Sequence, residues 1–176
     1  MKKYLLLSLL LLAGCGPWAR TGGLYNGDHF STELPDGWMR SRTADNLLIT
    51  HDGVLLQYIS VGEWKVDTEF EYTKKKLAKG MMPQEAAEVV LDNIASDQNV
   101  QNFEIKENKP AKLSGVPAFR AVLTYKDKDG LKYKCVYYGF VKDDLFFGVR
   151  YNAPLRHYFD HDVKTFDKVV QNFRLR

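Results

Sequence analysis

The chain has 176 residues, of which 45% are hydrophobic, 13% aromatic and 27% charged, with a formal net charge of +3. That length fits one domain with a short appendage. The composition excludes disorder and collagen-like repeats, and two cysteines are too few for a disulfide scaffold. Because 25 basic residues nearly cancel 22 acidic ones, bulk charge does not drive nucleic-acid binding, and no nucleic-acid partner is expected.

The chain opens with Lys2 and Lys3, runs apolar from Leu5 to Ala13 broken only by Ser8, and reaches Gly14-Cys15. A basic start, a short apolar core and small residues at its end mark an export signal. The core is too short for a bilayer span, which needs about 20 apolar residues. Leu12-Ala13-Gly14-Cys15 resembles a bacterial lipobox. The resemblance implies cleavage before Cys15, a diacylglycerol thioether on its sulfur and a further acyl chain on the new N-terminus. At about 0.8 kcal/mol per buried methylene, such an anchor is practically permanent. Gly16 stands where an aspartate would, in enterobacteria-like sorting, retain a lipoprotein in the inner membrane. Outer-membrane attachment facing the periplasm is therefore expected. Residues 1–14 are read as the signal peptide, 15–23 as lipidated N-terminus and flexible tether, and 24–176 as a single domain. Loss of Lys2 and Lys3 leaves 23 basic against 22 acidic residues, a net charge of +1.

Phe30 to Trp38 reads as a strand and a turn at Pro35-Asp36-Gly37. Asn46–Thr50 and Val54–Val61 are branched, apolar and separated by Asp52-Gly53, a hairpin signal. Asp67 is expected to cap a helix carrying Phe70, Thr73 and Leu77 and ending at Gly80. Pro83 opens a second, with Ala86, Val89, Val90, Asn93 and Ile94 at spacings of three and four. Short strands are expected at Phe103–Lys106 and Ala111–Leu113. Long ones at Ala118–Lys126, Leu131–Val141 and Leu145–Asn152 should form an antiparallel meander. A last helix places Phe166, Val169, Val170 and Phe173 on one face, with Asp162 as its cap.

The long strands carry apolar residues on both faces. In Leu131–Val141, Tyr133, Cys135 and Tyr137 oppose Val136, Tyr138 and Phe140; in the next strand Phe147, Val149 and Tyr151 oppose Phe146, Gly148 and Arg150. A sheet with one wet face would show one polar set. The expected fold is therefore α+β: an antiparallel β-sheet covered by helices on both faces, an α/β/α sandwich.

Several phrases resemble the PsbP-like family, which includes photosystem II extrinsic proteins, a Ran-binding nuclear transport factor and many bacterial lipoproteins. They are Phe30-Ser31 with Leu34-Pro35-Asp36-Gly37-Trp38, Ser114-Gly115-Val116-Pro117-Ala118-Phe119-Arg120, Asp129-Gly130-Leu131-Lys132-Tyr133, Tyr151-Asn152-Ala153-Pro154, and Phe166 through Leu175. The resemblance implies a fold and no activity, because members of the family bind unrelated partners.

The densest polar cluster is His157-Tyr158-Phe159-Asp160-His161-Asp162. On a helix, His157 and His161 stand one turn apart and can share a transition metal, with Asp160 or Asp162 as a further ligand. The competing reading is a solvated helix start with acidic residues near the dipole's positive end. Asp127, Asp129, Asp143 and Asp144 read as hairpin-turn residues, since the rest of an EF-hand loop is missing. Lys74-Lys75-Lys76 reads as a solvated face, with anionic headgroups as the alternative contact. Cys135 reads as a buried small hydrophobe. Tyrosines crowding the long strands read mostly as core; any that line a groove would offer rigid, amphipathic contact area. No elbow, P-loop or zinc-protease motif occurs. The function expected is a lipid-anchored, non-catalytic binding or assembly module for an envelope protein, with no cofactor. The alternative is a periplasmic small-ligand or metal-binding protein.

Overall fold

The computed structural model describes residues 16–176. The signal peptide and the lipidation site at Cys15 lie outside those residues. The strands, in chain order, are β1 (Trp18–Arg20), β2 (Gly23–Asn26), β3 (Phe30–Leu34), β4 (Met39–Ser41), β5 (Leu47–Thr50), β6 (Tyr58–Lys65), β7 (Gln101–Leu113), β8 (Val116–Lys126), β9 (Lys132–Lys142), β10 (Leu145–Pro154) and β11 (Arg174–Leu175). Two helices interrupt them, α1 (Pro83–Ala95) and α2 (Tyr158–Asn172). Eight strands form one sheet in the order β1-β4-β5-β6-β10-β9-β8-β7, and β11-β3-β2 form a smaller one. Every pairing is antiparallel.

Turn chemistry sets the meander. Ser114 (φ 52°) and Gly115 (φ 79°) both adopt left-handed backbone between β7 and β8, as a tight two-residue hairpin requires. Between β8 and β9 the Asp127 carboxylate accepts the backbone N–H groups of Asp129 (3.0 Å) and Leu131 (2.9 Å). The aspartates at these turns thus act as turn formers. β7 is one long strand where two short ones were expected. It lies at the sheet edge, where Pro110 needs no donor on its free side. Register shifts at Gln101/Glu104 and Ile105/Glu107 absorb its polar residues.

Alternate residues of β8–β10 enter two separate cores. Val122, Val136, Phe140, Phe147, Val149 and Tyr151 pack with Phe159, Phe166 and Val169 of α2. Phe119, Ala121, Leu123, Cys135, Tyr137 and Phe146 pack with Ala86, Ala87, Val90 and Leu91 of α1. Each buried aromatic or branched side chain contributes about 1.5–3 kcal/mol. A row of glycines crosses three neighbouring strands, with Gly148 of β10 opposite Gly62 of β6 and Gly139 of β9. A Cβ at Gly139 would stand 2.5 Å from the Phe119 ring, and one at Gly148 the same distance from the Tyr137 hydroxyl. The row exists so that aromatic rings can lie flat on the sheet.

Three expectations are corrected. Residues 67–80 form turns and irregular chain, not a helix. Lys74 is left-handed (φ 57°), and Asn93 of α1 takes the N–H groups of Tyr72 (3.0 Å) and Thr73 (3.3 Å) on its side-chain oxygen. Those bonds replace the helical ladder, while buried Leu77 holds the segment down. The final helix starts at Tyr158, so Asp162 faces inward instead of capping it. Finally, the stretch expected to be a free tether places Trp18–Arg20 as an edge strand against β4.

Candidate functional site

The histidine cluster forms around the start of α2. His157 precedes the helix with left-handed backbone (φ 68°), a conformation that costs a non-glycine residue about 1–3 kcal/mol. The His157 and His161 ring centroids lie 6.1 Å apart, but His157 stands before the helix and outside the group of approaching ligand atoms. Asp160 is exposed and stands outside the group of approaching ligand atoms; Asp162 takes its place. The residue that sequence reasoning missed is His51, on the β5–β6 loop. Its ring stacks on His161 at 6.2 Å, and Trp38 stacks on its other side at 5.8 Å. His51, His161 and Asp162 offer ligand atoms that all lie within 4.8 Å of one another.

Each of these two imidazoles has a carboxylate at Nδ1. Asp162 lies 3.1 Å from His161 Nδ1, and Asp52 lies 3.3 Å from His51 Nδ1. A carboxylate at Nδ1 orients each ring. Asp162 is buried and accepts a hydrogen bond from Gln57 Nε2 at 3.1 Å. Gln57 in turn accepts from Thr50 Oγ1 (3.0 Å) and the His51 N–H (3.1 Å). The loop and the helix are thus tied through one buried amide. No signal in the sequence links His51 to the cluster, because the contact depends on how the loop folds back.

A second polar site lies on the α1 side of the sheet. Arg150 stands on β10 with Tyr137 of β9 and Ser60 of β6 as its cross-strand neighbours. Its guanidinium lies 5.6 Å from the Tyr58 ring centre, and its Nε is buried without a hydrogen-bond partner. Among the described residues it enters no ion pair, although nine other pairs form. Burial pushes the phenols of Tyr58, Tyr125 and Tyr137 and the Cys135 thiol above their ordinary values. All four therefore stay neutral at physiological pH and cannot balance the guanidinium. Asn152, beside them, accepts a hydrogen bond from the Tyr125 hydroxyl at 2.9 Å.

A cleft of about 430 Å³ opens onto Arg150. Its walls include Tyr58, Tyr72, Tyr125 and Tyr133, with Tyr125 and Tyr133 stacked at 5.4 Å. Asp97 and Asp127 stand among its lining residues. The Tyr133 hydroxyl donates to the Leu55 carbonyl at 3.1 Å, which fixes the loop at one side. The sequence carried a signal for this site: Arg150 is the one charge in Leu145–Pro154.

The remaining residues of interest resolve simply. Cys135 is fully buried, as expected. Lys75 pairs with Asp92 at 2.7 Å and Lys76 with Glu69 at 3.5 Å, on irregular chain. Tyr137 and Tyr151 are core, Tyr125 is buried yet borders the cleft, and Tyr58, Tyr72 and Tyr133 line it. Among the described residues no helix is long and apolar enough to cross a membrane.

No family model and no curated protein matches the sequence. Solved structures do match. Cyanobacterial PsbP (CyanoP) from Synechocystis sp. PCC 6803 superposes with a TM-score of 0.58 at 11% identity, over 93% of this chain and 95% of that one. A mutant of the protein Mog1 gives 0.57 at 11% identity, over 90% and 95%. LpqN, described as involved in cell envelope biogenesis of Mycobacterium tuberculosis, gives 0.55 at 11% identity, over 90% of each chain. At this identity the likeness is one of fold, and it agrees with the order of phrases read from the sequence: the chain has the PsbP-like fold.

Proposed function

We propose that this chain is a lipid-anchored binding module of the cell envelope, acting without catalysis, and that it holds a small ligand in the tyrosine-lined cleft over Arg150. The observation that carries the reading is the recessed guanidinium with no charged partner among the described residues. An isolated buried charge is costly, and folding alone gives no reason to keep it. A recessed charge suits a small ligand better than the envelope protein partner expected from the sequence. The fully buried Cys135 thiol, pushed up by burial, suits packing and not nucleophilic work. The α/β/α arrangement, with α1 over one face of the sheet and α2 over the other, would hold the cleft walls rigid. LpqN's part in envelope biogenesis supports an envelope setting by analogy of fold.

Two measurements test this. Purified full chain, melted against a panel of small acids, amines and neutral compounds, should gain stability with at least one of them; a flat panel contradicts ligand binding. In cells, labelled fatty acid should enter the wild-type protein and not Cys15→Ser, which should leave the membrane fraction. Continued labelling of Cys15→Ser would remove the anchor.

A second reading is favoured by one observation, the convergence of His51, His161 and Asp162. Zinc or copper would take one ring nitrogen from each imidazole and a carboxylate oxygen, the donor set such ions prefer. Equilibrium dialysis should then show one bound zinc per chain, lost in His161→Ala and in His51→Ala but kept in Asp160→Asn. Equal zinc uptake by His161→Ala would end this reading.

A further inference from the structure

The charge pattern of the Arg150 cleft specifies more than that something binds. The guanidinium is a planar fork of donors matched to a carboxylate. Around it stand only neutral groups: the phenols of Tyr58, Tyr125 and Tyr137, the Cys135 thiol and the Asn152 amide. The cleft lining thus offers one cation for a negative charge and no second cation for another. The lining also carries charge of the opposite sign, because Asp97 and Asp127, both half-buried, are carboxylates. Burial first, and then the neighbouring Asp97, hold the Tyr72 phenol above its ordinary value. The Asp127 carboxylate is fixed by the turn it closes. A ligand with a second negative charge would meet these carboxylates, whereas an amine would be attracted by them. The lining also includes Val54, Leu55, Ile94 and the Tyr125–Tyr133 stack, which suit an apolar or aromatic body.

We infer that the cleft binds small monocarboxylates, with the carboxylate on Arg150 and a neutral or amine-bearing body directed at Asp97 and Asp127. The inference rests on the binding-module reading and names the chemical class of its ligand. The ligand supplies the counter-charge that the fold omits. Both carboxylate oxygens face the guanidinium, while the body excludes water against the tyrosines.

Titration calorimetry on the full chain tests this with four probes: benzoate, its neutral isostere benzamide, the dicarboxylate phthalate, and inorganic phosphate. Benzoate should bind at least about tenfold more tightly than each of the others. Arg150→Met should weaken benzoate by at least that factor. The double variant Asp97→Asn, Asp127→Asn alters exposed or half-exposed positions and should fold even if Arg150→Met does not. In it phthalate should gain on benzoate by about tenfold. Benzamide binding as well as benzoate, or phthalate keeping its disadvantage in the double variant, would overturn the monocarboxylate class while leaving a binding module in place. Failure of all four probes at millimolar concentration, together with a flat melting panel, would overturn the binding module itself.

Discussion

Arg150 illustrates how a single residue can oppose stability. Its Nε has no hydrogen-bond partner and its charged head enters no ion pair among the described residues. Replacing it by methionine keeps the stem and removes the unpaired charge. Arg150→Met should therefore hold or gain stability without ligand, by about 1–3 kcal/mol. Urea unfolding checks this, and a loss of similar size would mean that the guanidinium is paired after all. His29 offers a second test at this scale. Its hydrogen bond to Glu63, and then the charge of Glu63, hold the imidazole above its ordinary value of 6.5. Because the folded value is raised, the pair's contribution is fully present below the unfolded pKa and fades as pH rises through the folded one. Glu63→Gln should lower the His29 midpoint seen by NMR; an unchanged midpoint would assign the shift elsewhere. Residue identity could have exposed Arg150, since it is the lone charge on an apolar strand. It could not expose His51, whose role arises only when its loop meets α2.

At the scale of elements, the glycine row is the clearest structural device. Gly139 lies under Phe119 and Gly148 under Tyr137, so a methyl group at either place displaces a buried ring. Gly139→Ala should cost about 1–3 kcal/mol by overpacking. Equilibrium unfolding with wild-type stability would show that the rings can move aside. The meander was legible because period-two patterning and turn residues agree along β8, β9 and β10. The segment at 67–80 was not, since its helical spacing competes with hydrogen bonds from Asn93 that no local pattern announces. The start of α2 was misplaced for a related reason. Asp162 looks like a cap in sequence, yet burial against Gln57 turns it into a link between helix and loop. Tertiary contacts decided each of these cases against local propensity.

For the whole molecule, the N-terminal edge strand matters most. Trp18 shares a groove with Val54 and Leu55, and the same two residues border the Arg150 cleft. An anchor at Cys15 would therefore hold the mouth of the cleft close to the membrane surface, near any ligand delivered there. The fold was legible as a PsbP-like order of phrases spread along the domain. The site was legible only in fragments, because it is assembled from β6, β8, β9, β10 and the 51–57 loop. Native mass spectrometry of the full chain, expressed with its N-terminal segment and isolated from cells, tests the central claim most directly. Wild type should carry a small acidic molecule in one-to-one ratio, released by excess benzoate and missing from Arg150→Met. A wild-type protein without a bound small molecule, or an adduct retained in Arg150→Met, would contradict it.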